Sequence, residues 1–275
     1  DNAMLARAYT QAFIATGNQN YREVAAKIFE WVSHEMTDKG GAFHSAIDAD
    51  SEGGEGVFYL WKQDEIFSIL GEREGELFCR TYNIEPEGNF RDEATGRMNG
   101  LNIIHRTKSF GELAEKEGIP EDEFRSRLAE SRKKLLQMRN LRPRPLLDDK
   151  VIASWNGLMI GSLAYSGSHF GEAAYIKAAE RAARFILKNM QKDGRLLRSS
   201  RQGEAKHPGY LDDYAFLIHG LLDLHEATQR KNWLDEAVKL AEKMVELFND
   251  REDGGFYFSS ADHEQLITRL RDPLD

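Results

Sequence analysis

A helical hairpin recurs three times along the chain, and this repeat limits the fold more than any other feature of the sequence. Setting Asn2, Asn156 and Tyr214 in register aligns three stretches without gaps. In each stretch, the spacing of apolar residues predicts two helices joined by a short polar turn. A hairpin of this kind cannot bury its apolar face alone, so repeated hairpins stack into one core. The positions that coincide in the three copies include Tyr21, Tyr175 and Trp233, and then Ala25, Ala179 and Ala237.

Each second helix is followed by a turn that contains glycine, and an apolar residue comes after the turn. The turns are Lys39-Gly40-Gly41, Asp193-Gly194 and Asp253-Gly254-Gly255, followed by Phe43, Leu196 and Phe256. Glycine suits the left-handed backbone conformation that ends many helices. We therefore predict that these glycines end the second helices, and that each hairpin leaves through a short extended segment.

The fold class predicted from this repeat is all-α: an α/α toroid of helical hairpins, (α/α)6-like, with short β-hairpin insertions. The second and third copies start 214 − 156 = 58 residues apart, and the first and second start 156 − 2 = 154 residues apart. The longer interval must hold another hairpin and an insertion. Residues 120–139 predict a long charged helix, and residues 63–81 predict one or two shorter helices.

Short strands are expected within the same interval. Residues 42–50 and 57–61 alternate like the two strands of a β-hairpin, and residues 89–106 predict a loop with a second short hairpin. Because no low-complexity linker separates these segments, we predict a single domain over residues 1–275. The chain begins and stops where the repeat starts a first helix, and four hairpins can be counted. We therefore expect an incomplete ring and a fragment of a longer protein.

Composition and charge exclude several classes of function. The chain has 37 Lys and Arg against 46 Asp and Glu, a formal charge of -9, which opposes binding to nucleic acid. No stretch reaches the ~18 uninterrupted apolar residues of a membrane-spanning helix, so we expect no membrane contact. Cys79 is the only cysteine and lies beside Leu77 and Phe78, which favours a core position over a reactive thiol. A reducing compartment fits this usage, and we predict a cytoplasmic protein without cofactor or metal.

The loops that lead into the first helices, together with the N-termini of those helices, share one end of the array. We call this end the mouth. It collects the stretches richest in acids, aromatics, amides and histidines, which are HSAIDADSEGGEG (44–56), LLDDKVIASWNG (146–157) and KHPGYLDDYA (206–215). The sequence therefore predicts that a functional site lies at the mouth.

Three motifs, GGAFHSAIDADSEGGEGVFYLW, LLDDKVIASWNGLMI and GYLDDYAFLIHGLLDLHEAT, resemble those of the YyaL family, which includes spermatogenesis-associated protein 20. This resemblance covers essentially the whole chain. It implies a thioredoxin-like domain followed by a six-hairpin toroid, which is similar to N-acylglucosamine 2-epimerase and to six-hairpin glycosidases. The present sequence departs from that pattern by lacking the thioredoxin-like part, its cysteines and the final hairpins. The resemblance thus implies the fold, a sugar-related role, and a thioredoxin-like domain of the same longer chain as a partner.

Acidic side chains at the mouth are candidates for catalysis. Asp48 and Asp50 share a short turn with Glu52 and Glu55, and carboxylates that repel one another can raise a pKa into the range of an acid catalyst. A solvated turn is the alternative. The turn also resembles the start of a calcium loop, but Tyr59 stands where that loop needs Glu.

Asp212 and Asp213 precede a first helix, where an aspartate accepts amide hydrogen bonds and suits the helix dipole. One of the two is expected to cap the helix. The other is then available to a ligand, as is Asp148 or Asp149 near Lys150. We predict Asp213 as catalytic, and Asp212 and Lys150 as substrate-binding.

Aromatic and amide side chains at the mouth are candidates for holding a sugar ring. Trp155 and Asn156 start a first helix, and an indole face beside an amide suits stacking and hydrogen bonding to hydroxyl groups. The alternative is that Trp155 fills the gap between neighbouring hairpins, and Tyr210 and Tyr214 face the same choice. All four are predicted to contact substrate.

His44 and His207 are the histidines of the mouth stretches. An epimerase needs an acid and a base on opposite faces of the substrate carbon, and two histidines could serve. We predict His207 as catalytic and His44 as substrate-binding, with a structural role as the alternative for each.

Two functions stay open at this point. The first is a carbohydrate-active toroid, either a sugar isomerase or epimerase with paired acid and base groups, or a glycosidase-like enzyme with two carboxylates. The second is a non-catalytic module that binds a glycan or a protein. The sequence does not decide whether the protein is an enzyme.

Overall fold

The computed structural model describes residues 1–51, 54–92, 96–262 and 268–271, and these residues are mainly helical. The chain divides into two compact units, Asp1–Ala46 with Leu147–Asp275, and Ile47–Leu146. The predicted all-α class with short strands is confirmed, whereas the single domain stays a prediction. The helices are α1 (Asn2–Thr16), α2 (Gln19–Glu35), α3 (Gln63–Leu70), α4 (Glu72–Thr81), α5 (Phe110–Glu117), α6 (Glu121–Arg139), α7 (Ala153–Phe170), α8 (Ala173–Asn189), α9 (Leu211–Thr228) and α10 (Lys231–Phe248). The strands are β1 (His44–Ile47), β2 (Asp50–Ser51), β3 (Gly54–Glu55), β4 (Trp61–Lys62), β5 (Leu101–Asn102), β6 (Leu147–Ile152), β7 (Gln191–Lys192), β8 (Arg195–Arg201) and β9 (Glu204–Pro208).

Three helical hairpins build the first unit, and they are the three copies of the sequence repeat. Their first helices are α1, α7 and α9, and their second helices are α2, α8 and α10. Each first helix packs against its own second helix, and α7 packs against both α1 and α9. The aligned alanines Ala25, Ala179 and Ala237 are all buried in second helices. The register read from the sequence is therefore confirmed.

Glycines bring α7 and α9 into direct backbone contact. A Cβ atom added at Gly157 would lie 2.5 Å from the backbone of Phe216 and Leu217, and one added at Gly220 would lie 2.4 Å from the carbonyl oxygen of Gly157. No larger residue fits at such distances without moving a helix. These glycines therefore set the close approach of two neighbouring first helices.

The chain leaves each hairpin through a short antiparallel turn, and the three turns differ in length. Thr37 bridges Phe43, Gln191 pairs with Leu196, and Asn249 bridges Phe256. The prediction that glycines end the second helices is wrong in position, because the residues that follow those helices are Met36, Met190 and Asn249. The left-handed glycines lie inside the following turns, where the reversal of the chain needs a positive φ. They include Gly41 at φ 94°, Gly194 at φ 75° and Gly254 at φ 76°.

A small sheet lies at the mouth of the first unit. Its strand order is β1-β6-β8-β7, and β9 pairs with β8. The predicted β-hairpin of residues 42–50 with 57–61 is wrong, because β1 pairs with β6 while Val57–Tyr59 forms a 3₁₀ turn. Period-two alternation identifies a strand but not its partner, and here the partner is about a hundred residues away in sequence.

The second unit packs α3, α4, α5 and α6 around an apolar core that includes Ile66, Phe78 and Phe124. Both helix predictions are confirmed, with residues 63–81 forming α3 and α4. The charged helix α6 is not solvated all round, since it buries one face that carries Phe124, Leu128 and Leu135. Within residues 89–106, Arg91 bridges Met98, while β5 pairs with β4.

Cys79 lies in the core of the second unit, as the sequence favoured. Burial raises the pKa of its thiol to about 11, although the nearby Arg80 acts in the opposite direction. The thiol is therefore protonated at neutral pH. None of the helices in the described part of the chain combines the length and the apolar character needed to cross a membrane.

Candidate functional site

The carboxylate of Asp213 connects the N-termini of α7 and α9 at the mouth. Its Oδ1 accepts a hydrogen bond from the amide of Ser154 in α7 at 3.0 Å, and its Oδ2 accepts one from the amide of Tyr210 at 2.9 Å. Arg198 also donates to Oδ2, at 3.1 Å. The side chain is fully buried. Of the two adjacent aspartates, Asp213 is therefore the capping side chain: it stands at the third position of α9 and accepts the amide of the N-cap residue Tyr210.

Burial raises the pKa of Asp213, and the neighbouring carboxylate of Asp212 raises it further, while the Tyr210 amide and Arg198 oppose the shift. A raised carboxyl pKa is a property of acid catalysts. In this case, however, both oxygens are occupied by amide donors inside the protein. Asp212 is partly exposed and lies 3.4 Å from Arg198.

Asn156 ties the segment after α2 to the start of α7. Its Oδ1 accepts from the amide of Phe43 at 2.8 Å, and its Nδ2 donates to the carbonyl oxygens of Phe43 and Ile152, each at 2.9 Å. Both amide hydrogens are thus used, and the residue is buried. These contacts hold β1 against the mouth, and they are made with backbone rather than with open space.

Tyr210 and Tyr214 have different surroundings. Tyr214 is buried, accepts a hydrogen bond from the amide of Leu196 at 2.9 Å, and packs edge-on against Phe248. Tyr210 is partly exposed, lies parallel to Phe258 at 5.0 Å, and faces the guanidinium of Arg198 at 4.9 Å. Tyr214 is thus buried between α10 of its own hairpin and the strand that follows α8, while Tyr210 stays at the surface of the mouth.

Trp155 does not fill a gap between hairpins, because it is 52% exposed. It occupies the first turn of α7, directly beside the buried Asn156. An exposed indole at this position is available to a ligand, which leaves the predicted stacking role in place as a prediction.

A cavity of about 390 Å³ lies at the mouth of the first unit. It is formed by β6 and by the β8–β9 hairpin, and it brings together Lys150 and His207, two of the side chains predicted from the sequence. The remaining lining residues are all polar or charged. The full set is Lys150, Ser199, Arg201, Gln202, Glu204, Lys206 and His207.

Ion pairs position the cations of this cavity. Lys150 lies 3.2 Å from Asp148, and Lys206 lies 3.0 Å from Glu204. Arg201 donates to Asp149 through Nε. The cavity therefore presents ammonium and guanidinium donors beside carboxylate acceptors.

His207 has an unusual backbone conformation. Its φ is 62°, in the left-handed region, although it is an exposed residue of strand β9 and precedes Pro208. Left-handed conformations at residues other than glycine cost free energy and concentrate at functional sites. His44 does not line this cavity. Its Nδ1 lies 3.2 Å from the carbonyl oxygen of Asp149, on the neighbouring strand.

Asp48 and Asp50 belong to the second unit. Both are exposed, and the Asp48 carboxylate accepts the amide of Asp50 at 3.0 Å, which is a local turn contact. Glu52 lies outside the described residues. Among those that are described, no three His, Cys, Asp or Glu side chains are grouped closely enough to hold a metal ion.

Sequence reasoning missed the arginines of β8 and the glycines of α7 and α9. Arg198 joins Asp212, Asp213 and the Tyr210 ring, and Arg201 lines the cavity. Arg198 and Arg201 are three residues apart along β8, and this spacing does not indicate a functional site in the sequence. The spacing of Gly157 and Gly161 on one helix face was a usable signal for close packing.

Comparison with known proteins places the chain among its relatives. No protein-family model matches it. It is 35% identical to human spermatogenesis-associated protein 20, in an alignment that covers 100% of this chain and 38% of that protein. The chain is homologous to part of spermatogenesis-associated protein 20. A Caenorhabditis elegans protein, uncharacterized protein B0495.5, is 29% identical over 94% of this chain and 38% of its own length.

The chain thus spans 38% of the length of the curated relatives that it matches. Among solved structures, the unsaturated glucuronyl hydrolase from Streptococcus agalactiae aligns with a TM-score of 0.50 at 10% identity, covering 98% of this chain and 54% of that one. This likeness concerns the fold alone. It confirms the α/α toroid class that the resemblance to the family of spermatogenesis-associated protein 20 implied.

Proposed function

We propose that the chain binds a carbohydrate in the cavity at the mouth of its first unit. The observation that carries this proposal is that Lys150 and His207, from separate strands, line one cavity of about 390 Å³. That volume lies within the range of about 300–1,000 Å³ that is typical of small-molecule sites. One solved structure that shares the fold is, by its name, a glucuronyl hydrolase, so carbohydrate is the ligand class to test first.

The lining of the cavity suits hydroxyl groups. A sugar hydroxyl both donates and accepts hydrogen bonds, and the ion pairs of the cavity supply both kinds of partner. Lys206 and Glu204, for example, stand 3.0 Å apart and hold each other in position. Both side chains are more than half exposed, so their remaining hydrogen-bonding positions are accessible to an uncharged ligand. Trp155 does not line this cavity. We propose its exposed indole as a separate surface of the mouth on which a sugar ring stacks.

Within this proposal, His207 is the candidate acid–base residue, for an isomerase, epimerase or glycosidase-like reaction. Asp212 and Tyr210 are proposed as further contacts of the ligand, and His44, Asp48 and Asp50 stay candidates without a contact that supports them. The inward hydrogen bonds of Asp213, Asn156 and Tyr214 favour a structural role for those three. A non-catalytic glycan-binding module is the alternative function, and the fully engaged carboxylate of Asp213 favours it.

Two wider expectations go with this proposal. The resemblance to the family implies a thioredoxin-like domain of a longer chain as a partner. The single buried cysteine fits a reducing environment, so we propose a cytoplasmic location.

Ligand-observed NMR with a panel of neutral and acidic mono- and disaccharides tests the proposal. We expect saturation transfer to at least one sugar, and we expect Lys150→Ala to remove it. Lys188→Ala is the matched control, because Lys188 is an exposed lysine on α8 that does not line the cavity. Absence of transfer from the wild-type protein to every sugar, or equal transfer in both variants, would contradict the proposal.

A further inference from the structure

A second cavity, of about 370 Å³, lies in the second unit. Its walls come from α4, from the turn between α5 and α6, and from the first turns of α6. Three arginines and three glutamates line it, beside Leu77, Ile119 and Pro120. It shares no lining residue with the cavity at the mouth. The second unit therefore has a site of its own to account for.

Ion pairs between helices hold the walls of this cavity. Arg80 of α4 donates through Nε and Nη2 to the two carboxylate oxygens of Glu117 in α5, at 3.1 Å and 2.9 Å, and through Nη1 to Glu76. The hydrogen bond from Arg80 lowers the pKa of Glu117, so that carboxylate stays charged at neutral pH. Arg127 of α6 donates to both oxygens of Glu74 in α4, at 3.2 Å and 2.7 Å. Forked pairs of this kind fix the orientation of both partners.

Two charged side chains of the lining have no such partner. Among the residues that the structure describes, no carboxylate pairs with Arg73 of α4 and no cation pairs with Glu123 of α6. Arg73 directly precedes Glu74, and Glu123 lies one helical turn before Arg127, so the ion pair of Arg127 with Glu74 brings both to the same cavity. Nη1 of Arg127 also has no partner in the described part of the chain, although this side chain is only 18% exposed. Free guanidinium donors and a free carboxylate acceptor thus share one cavity.

A small molecule with one carboxylate and one ammonium group complements these free charges. A guanidinium binds a carboxylate through forked hydrogen bonds, and a carboxylate accepts hydrogen bonds from an ammonium. A simple anion would be repelled by Glu123, and a simple cation would be repelled by the arginines. The apolar part of the lining, Ile119 and Pro120, suits a short hydrocarbon side chain. The volume of about 370 Å³ lies near the lower end of the range of about 300–1,000 Å³ for small-molecule sites, which fits a single small ligand.

We propose that the cavity of the second unit binds a free α-amino acid with an aliphatic side chain. Arg73 and Nη1 of Arg127 bind its α-carboxylate, Glu123 accepts hydrogen bonds from its α-ammonium, and its side chain lies against Ile119. This inference does not depend on the proposed function, because the two cavities have no residue in common. Amino-acid binding here and sugar binding at the mouth can therefore be measured and lost separately.

The test is calorimetric titration of the full chain with leucine, isoleucine and valine, and with the N-acetyl and the amide derivative of each. We expect the wild-type protein to bind at least one of the free amino acids, and to bind either derivative of it more weakly by about 10-fold or more. Arg73→Gln should remove the preference for the free acid over the amide. Glu123→Gln should remove the preference for the free ammonium over the N-acetyl form. A merely structural role would instead lower the affinity for all three ligands equally.

Lys134→Gln and Glu130→Gln are the matched controls, because both residues are exposed on α6 and neither lines the cavity. Both variants, and Lys150→Ala at the mouth, should keep the wild-type affinity for the amino acid. Circular dichroism establishes that each variant is folded. A wild-type protein that binds none of the amino acids, or variants of Arg73 and Glu123 that keep the wild-type preferences, overturns the inference. If sugar still binds at the mouth in either case, the proposed function stands while this inference falls.

Discussion

Asp213 of α9 caps the N-terminus of the neighbouring helix α7 by accepting the amide of Ser154 at 3.0 Å. The same carboxylate accepts the amide of Tyr210 at the start of its own helix. One buried side chain thus fixes two first helices at the mouth, close to the strands that form the cavity. The rigidity of the mouth depends on this contact and on the backbone hydrogen bonds of Asn156.

Replacing Asp213 should destabilise the protein substantially. We expect Asp213→Ala to lower the free energy of unfolding by about 2–3 kcal/mol, because the buried amide of Ser154 and the part-buried amide of Tyr210 lose their acceptor. Urea denaturation measures this change. Asp212→Ala is the control and should change the free energy by less than about 1 kcal/mol, since Asp212 is partly exposed. Equal effects of the two variants would show that Asp213 is not the cap.

The close contact of α7 with α9 should not tolerate a side chain at Gly157. The added Cβ atom would meet the backbone of Phe216 and Leu217 at 2.5 Å, so we expect Gly157→Ala to lower the free energy of unfolding by about 2 kcal/mol or more. Thermal denaturation provides the measurement.

Gly111→Ala is the matched control for that substitution. Gly111 lies within helix α5, and its Cβ atom would meet only the flexible carboxylate of Glu121 at 3.1 Å. Alanine favours helix over glycine, so we expect an effect between zero and about 1 kcal/mol of stabilisation. A destabilised Gly111→Ala, or a neutral Gly157→Ala, would contradict the packing described above.

Because His207 has a left-handed conformation, we predict that replacing it with glycine affects protein stability and sugar affinity in different directions. We expect His207→Gly to leave the free energy of unfolding unchanged or to raise it by up to about 1 kcal/mol, because glycine adopts a positive φ without strain. The same variant should lose affinity for sugar, since the imidazole lines the cavity. Calorimetric titration and urea denaturation measure the two effects.

Gln229→Gly controls for the release of strain alone. Gln229 has φ 56° at the C-terminus of α9 and does not line the cavity. It should gain stability by a similar amount and keep its affinity for sugar. Retained affinity in His207→Gly would remove His207 from the site.

The buried thiol of Cys79 predicts a pH effect in the alkaline range. Its pKa is raised to about 11 in the folded protein, from about 8.5 in an unfolded chain, so the folded state keeps the proton to higher pH. The resulting stabilisation is fully present below about pH 8.5, and it is lost as pH rises towards 11. Its size is about 3 kcal/mol. The stability difference between wild type and Cys79→Ala should therefore shrink over this interval, and a constant difference would contradict burial of the thiol.

Local periodicity was sufficient to predict the hairpins, the helix α6 and the core position of Cys79. Partners that lie far apart in sequence were not predictable in this way. Strand β1 pairs with β6 rather than with residues 57–61, and alternation along a strand carries no information about its neighbour.

The candidate side chains of the mouth were chosen by residue type. Residue type does not specify whether the polar atoms of a side chain point into the protein or towards a ligand. Asn156 and Tyr214 point their polar atoms at backbone groups, whereas Trp155, of equal promise in the sequence, is half exposed. The ion pair of Arg7 with Asp223 joins helices α1 and α9, which are distant in sequence, so no local spacing could have indicated it.

Mapping a sugar onto the protein by ¹H–¹⁵N NMR is the most direct test of carbohydrate binding at the mouth. The measurement follows backbone amide shifts of the full chain during titration with the sugar that shows the strongest saturation transfer. We predict shifts that concentrate at Lys150 and along the β8–β9 hairpin from Ser199 to His207, and that disappear in Lys150→Ala. If the shifts leave this hairpin unmoved and appear on other surfaces, the carbohydrate does not bind in the cavity at the mouth.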